Sequence, residues 1–290
     1  MKLLITGHHG QVGQALIQQA AAHNFQVAAY DHSGLDITDR AAVLQAVERE
    51  QPAVIINAAA YTAVDQAESE PAAAYAANAE GAENLARAAH AAGAAILHIS
   101  TDYVFNGRTE RPYLETDTPD PQTVYGQSKL AGEQAVQAAC PRHIILRTAW
   151  VFGEHGHNFV KTMLRLGRER DSLSIVADQS GAPTYAGHIA AALLHIAGRT
   201  QTENCPYGLY HFSGSPYTTW HGFAAEIFHR AAEQGILPHA PELRAITTAD
   251  YPTPARRPAD SRLDCSKIHT AFGLAPSDWQ SALGNLADYL

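Results

Sequence analysis

An α/β fold, a Rossmann-like doubly wound parallel sheet with a smaller, sequence-interleaved C-terminal lobe, is predicted by three observations. Short apolar segments alternate with alanine-rich helical stretches through the first half of the chain. A glycine turn follows the first of those segments, and after Thr148 the alternation gives way to a texture rich in Gly, Pro and His. The length of 290 residues suits a large domain with a smaller one attached.

Strands are expected at residues 2–6, 26–30, 53–57, 94–100 and 143–148, each short, apolar and ended by a polar or glycine residue. Crossover helices are expected at 11–23, 39–50, 71–92 and 125–139, with Pro71 suited to a first helical turn and Gly93 to a stop. Residues 1–150 then form a dinucleotide-type domain and 151–290 a substrate lobe, with a helix near 187–197 and a strand near 209–212 returning to the sheet. The loop holding Pro112, Pro119 and Pro121 is expected to be a mobile insertion.

Composition narrows the function classes. Twenty basic against 29 acidic side chains give a net charge of -9, which opposes a phosphate-backbone footprint, so no nucleic-acid partner is expected. No apolar run approaches the length of a membrane span, the N-terminus does not read as a signal peptide, and no membrane partner is expected. Cys140, Cys205 and Cys265 lie far apart without C-x-x-C spacing, which fits a reducing compartment, and the cytoplasm is the expected location. The 16 histidines are scattered without ligand spacing, so no metal site is expected.

The segment Gly7-His8-His9-Gly10-Gln11-Val12-Gly13 joins the first strand to the first helix, the context in which backbone N–H groups and a helix dipole meet a pyrophosphate. Gly7, Gly10, Gln11, Val12 and Gly13 are therefore candidate cofactor contacts. Asp31, at the end of the second strand, stands where a carboxylate accepts from an adenosine ribose; the adjacent His32 softens its opposition to a 2′-phosphate, leaving NADPH and NADH both open. Tyr125 and Lys129 lie at i and i+4 on one helix face, where the ammonium is expected to lower the phenol's pKa and ready it for proton transfer. Thr101 ends the fourth strand, where a parallel sheet holds its ligands, and its hydroxyl suits a substrate carbonyl. Phe105 reads as core.

These segments together resemble the extended short-chain dehydrogenase/reductases, and within that superfamily the dTDP-4-dehydrorhamnose reductases. The specific strings are Asn57 to Asp65, Ser100 to Phe105 and Asp178 to Thr184, and the resemblance spans nearly the whole chain. It implies Thr101, Tyr125 and Lys129 as the catalytic group, with Tyr125 as proton donor to the C4 alkoxide of a nucleotide sugar, dTDP-4-dehydro-β-L-rhamnose. It implies further cofactor contacts at Asp36, Ile37, Ala59, Ala60 and Tyr61, with Tyr125 and Lys129 beside them. Substrate contacts are implied at Val64, Thr101, Asp102, Tyr103 and Trp150, with Asn158 and Arg257 as candidates for nucleotide recognition. Trp150 also reads as a buried aromatic at the lobe junction, and Arg256-Arg257 as a solvated pair. Some members bind Mg2+ through carboxylates at a dimer interface; Ala15 and Gly187 occupy the corresponding segments here, so a monomer or a homodimer without a linking metal is expected. Two alternatives remain open: a sibling nucleotide-sugar reductase, epimerase or dehydratase, and a regulatory subunit resembling the methionine adenosyltransferase beta subunit.

Overall fold

A computed structural model describes residues 1–290. Its central sheet has six strands, β1 (Lys2–Thr6), β2 (Gln26–Tyr30), β3 (Val54–Asn57), β4 (Ala95–Thr101), β5 (His143–Thr148) and β6 (Gly208–His211). They run in the order β6-β5-β4-β3-β1-β2, and every pairing is parallel. The strand order reverses between β1 and β3, so a crevice opens outside the carboxyl ends of those two strands.

Both faces of the sheet are covered because strand side chains alternate. Leu3 and Ile5 pack with Leu16, Ile189 and Leu193 on one face, whereas Leu4 joins Val47, Leu85 and Ile96 on the other. The helix Ala186–Arg199 and β6 return to this core close to the expected positions. A third returning segment, the helix Ser266–Phe272, buries Ile268 and Phe272 there as well. A separate cluster around Phe152, Leu164, Phe223, Phe228 and Trp279 forms the heart of the later lobe.

Three crossover helices begin on caps or turns legible from their residues. Asp39 accepts from the N–H groups of Ala41 (2.9 Å) and Ala42 (3.1 Å), starting Arg40–Glu50. Thr123 accepts from Gly126 N–H (3.0 Å), starting Val124–Ala139. Gln11–Ala20 starts at Gly10 with no side-chain cap, leaving its first N–H groups free for a ligand. The helix expected at 71–92 is interrupted: Pro71–Tyr75 leads into a π turn at Ala76–Glu80 and then Gly81–Ala91.

The loop with Pro112, Pro119 and Pro121 is tied down where motion was expected. Tyr113 N–H donates to Arg262 O (2.8 Å), the Tyr113 ring stacks on Phe105 at 4.1 Å, and Arg111 forks onto Asp117 at 2.8 and 2.7 Å. No helix is long and apolar enough to cross a membrane.

Candidate active site

The glycine turn is shaped by close backbone approach. A Cβ on Gly7, whose φ is +73°, would stand 2.6 Å from Ala58 O and Ala59 N, and a Cβ on Gly13 would stand 2.2 Å from Gly7 O. Side chains are excluded at both positions, so the end of β3 lies flat against the turn. Asn57 pins that end: its Oδ1 accepts from Thr6 Oγ1 (2.8 Å) and Ala59 N–H (3.1 Å), and its Nδ2 meets His98 Nδ1 at 3.0 Å. The bare helix start, the two tight glycines and Asp31 beyond them fit a dinucleotide's pyrophosphate and ribose.

The π turn carries the next step. It presents Asn78, which brackets Tyr61 from both sides, accepting from its N–H (2.8 Å) and donating to its carbonyl (3.1 Å). Asn78 Nδ2 also donates to Ser128 Oγ (3.0 Å), and Ser128 donates to the Tyr125 carbonyl (2.8 Å). A continuous hydrogen-bond chain thus couples the 59–61 segment to the helix bearing Tyr125 and Lys129.

Tyr125 is T-stacked on Tyr103 at 5.4 Å. Burial pushes its phenol up to about 12, partly offset by the Thr101 hydroxyl and reinforced by the Asp102 charge. This corrects the expectation that Lys129 would lower the Tyr125 pKa. Desolvation sets the direction, and Lys129 Nζ donates to Ile99 O (2.7 Å), 3.5 Å from His98 Nε2. Burial lowers Lys129 itself to about 8, with Glu133 opposing that fall, and holds the His98 imidazole neutral at ordinary pH. At pH 7 the phenol is therefore protonated and the ammonium charged, the states a proton donor and its helper require.

Thr101 Oγ1 donates to Asp102 Oδ1 (3.0 Å) and accepts from Tyr103 N–H (3.2 Å). Burial raises the Asp102 carboxyl to about 6 despite hydrogen bonds from Ser261 and Thr101, and its Oδ2 is enclosed without a partner. The folded chain therefore binds, between about pH 4 and 6, a proton that the unfolded chain releases, and this group's contribution to stability falls as pH rises through that window. Asp102→Asn should raise the unfolding temperature more at pH 7.5 than at pH 5; an equal change at both would disprove this account.

Arg257 lies beside Tyr103, its Nη2 bound to Asp65 Oδ2 (2.5 Å) and its Nη1 enclosed without a partner. That ties Arg257 to the segment of half-buried Val64 rather than leaving it in solvent. Trp150 adopts a left-handed backbone (φ +49°) and stacks on Trp220 at 3.7 Å, while Gly181 lies against its ring so closely that a Cβ would stand 2.4 Å away. Asn158 is otherwise employed: it caps Phe159–Glu169 through Lys161 N–H (3.2 Å) and donates to Gly153 O (2.7 Å) and Gln11 Oε1 (3.1 Å). Ile37 is buried against Gly81, and Asp36 accepts from the Thr38 N–H (2.9 Å) and hydroxyl (2.8 Å).

Asp31 Oδ1 accepts from Ser33 Oγ and Gly34 N–H, both at 2.8 Å, and its Oδ2 meets His9 Nδ1 at 3.1 Å. With His8 these groups offer ligand atoms all within 4.8 Å of one another. No local spacing pattern shows this grouping, because its third member comes from the neighbouring strand. Sequence reasoning also passed over Asn78, Trp220 and the buried pair Glu133–Arg147. A polar His98 inside an apolar strand was the one local signal of the network behind Lys129.

The family described as the RmlD substrate binding domain matches residues 1–290. The chain belongs to this family. Among similar proteins is a dTDP-4-dehydrorhamnose reductase of Aggregatibacter actinomycetemcomitans, 51% identical, with 99% of each chain covered. Among solved structures, a dTDP-4-dehydrorhamnose reductase from Clostridium acetobutylicum superposes with a TM-score of 0.91 at 40% identity, covering 98% of this chain and 97% of that one. One from Bacillus anthracis in complex with NADP gives a TM-score of 0.91 at 37% identity and the same coverage. The glycine turn and the Tyr125–Lys129 helix thus belong to a fold shared along the whole RmlD-family chain.

Proposed function

We propose that the protein reduces the C4 ketone of dTDP-4-dehydro-β-L-rhamnose to dTDP-L-rhamnose with NADPH or NADH. The observation that carries this reading is the grouping of Thr101, Tyr125 and Lys129 at the carboxyl end of β4, on the same edge of the sheet as the glycine turn that follows β1, two strands away. Identity of 51% over nearly full length to a reductase of that name supports the substrate.

When bound, the nicotinamide supplies a hydride to the ketone carbon. The chain's residues do the rest: the Thr101 hydroxyl holds the carbonyl oxygen, the Tyr125 phenol gives it a proton, and the Lys129 ammonium favours charge separation at the phenol. Gly7, Gly10, Gln11, Val12 and Gly13 cradle the pyrophosphate, Asp31 takes the ribose, and Ala59, Ala60 and Tyr61 line the same crevice. Val64, Asp102, Tyr103 and Trp150 surround the sugar, and Arg257, held beside Tyr103 by Asp65, supplies positive charge toward the diphosphate. Asn158 supports this site through Gln11. Residues 1–150 with the returning segments hold the dinucleotide, and 151–290 close over the nucleotide sugar. The assembly is a monomer or a homodimer without a linking metal: Ala15 and Gly187 carry no ligand, and they lie where two helices pack closely, with Gln19 Nε2 donating to Gly187 O (2.9 Å). The cytoplasm is the proposed location.

The test is loss of 340 nm absorbance when the protein meets NADPH or NADH and dTDP-4-dehydro-β-L-rhamnose, with product identified. Consumption yielding dTDP-L-rhamnose is expected. No consumption despite dinucleotide binding would transfer the assignment to a sibling substrate or a regulatory role.

A further inference from the structure

We propose that His8, His9 and Asp31 form a binding site for a divalent transition metal of the Zn2+ class, and that an ion there excludes the dinucleotide. The second half rests on the dinucleotide reading above; the first does not.

The geometry starts with the backbone. Gly7 N–H (2.9 Å) and His8 N–H (3.3 Å) both donate to Tyr30 O, which fastens the glycine turn to the end of β2 one residue before Asp31. Two adjacent imidazoles are therefore held beside a carboxylate from a different strand. Their rings meet edge to face at 4.1 Å and 61°, so they point differently and can approach one centre from two sides. His9 Nδ1 and Asp31 Oδ2 are 3.1 Å apart, close to the spacing of about 3.3 Å between two ligands on a tetrahedral ion.

The third ligand needs only a small adjustment, since all three donor atoms already lie within 4.8 Å of one another. The His8 Nδ1 atom is enclosed and has no hydrogen-bond partner in the protein, so this imidazole is not committed through that nitrogen to any other group. Asp31 is braced as metal-binding carboxylates usually are, with Ser33 Oγ and Gly34 N–H on the oxygen that faces away. Two imidazoles and one carboxylate suit Zn2+ with an open fourth position, and suit Mg2+ or Ca2+ poorly because those ions favour oxygen ligands.

The consequence follows from Asp31. A carboxylate committed to an ion cannot accept from a ribose, and an ion with its water shell at the turn obstructs the ribose's approach. Zn2+ and dinucleotide should therefore compete, each weakening the other by the same factor.

The test is calorimetric titration of ZnCl2 into the full chain, free of chelators, paired with NADH binding followed by fluorescence. One Zn2+ per chain is expected, weakened by more than about tenfold in His9→Gln and in His8→Asn, since loss even of a ligand's partner costs that much. His9 is exposed, so its replacement leaves the fold intact. Saturating NADH should weaken Zn2+ binding, and Zn2+ should weaken NADH binding in the wild type but not in His9→Gln. No Zn2+ binding, or binding unchanged in both variants, overturns the site. NADH that binds but leaves Zn2+ affinity unchanged overturns the exclusion alone. Failure of the metal-free chain to bind NADH would overturn the dinucleotide reading and the exclusion with it, while the variant titrations still decide the metal site.

Discussion

Tyr125→Phe is expected to lower kcat by about 10²–10⁴-fold, the usual worth of a positioned general acid, with dinucleotide affinity unchanged. The variant keeps the ring and hence the edge-to-face contact with Tyr103 at 5.4 Å; it loses only the hydroxyl. Because burial holds the phenol at about 12, it is a filled proton donor throughout the physiological range, and its own ionisation sets no limb of the pH profile there. Any alkaline fall in rate near pH 8 belongs to Lys129, whose ammonium burial brings down to about 8. Single-turnover rates and dinucleotide fluorescence, each followed across pH, separate these roles. Wild-type turnover in Tyr125→Phe would refute its part as donor, and an alkaline limb that survives Lys129→Met would refute the assignment of that limb.

The sheet and the glycine turn were legible because both are written in local pattern. Strand alternation and a glycine that must accept positive φ declare themselves within a few residues. The π turn at 76–80 did not, because its cause is distant. Gly132 brings the neighbouring helix so near that a Cβ there would stand 2.0 Å from Asn78 O, and Asn78 is directed at Tyr61 and Ser128. The i, i+4 spacing of Tyr125 and Lys129 correctly placed them on one face. Spacing carries no information on burial, and burial decided the direction of both pKa shifts. Trp150 was legible as a flat apolar surface, while its left-handed backbone and its stacking on Trp220, 70 residues later, arise only when the lobes meet. The Asp31 cluster was hidden for the same reason: the pairing of β1 with β2 assembles it, and local sequence does not.

Glu133→Ala is expected to be the most destabilising single change near the site. The Glu133 carboxylate accepts from Arg147 Nε (2.8 Å) and Nη2 (2.6 Å) and from Ser100 Oγ (2.5 Å), and both charged side chains are 2% exposed. Its loss strands a buried guanidinium whose Nη1 already lacks a partner, a defect costing about 3–5 kcal/mol. That corresponds to a drop of roughly 6–20 °C in unfolding temperature for a chain of this size class. Adding Arg147→Met should restore part of the loss, because removing both members of a buried pair costs far less than removing one. The same carboxylate lies one turn beyond Lys129, and its charge supports the ammonium against desolvation. In Glu133→Gln, which removes the charge but keeps an acceptor for Arg147, Lys129 should therefore lose its proton at lower pH, and the alkaline limb of the rate profile should move below that of the wild type. A limb that stays in place would mean that Glu133 acts on the fold alone; a limb that moves would make the buried pair a positioning element for the proton donor's helper.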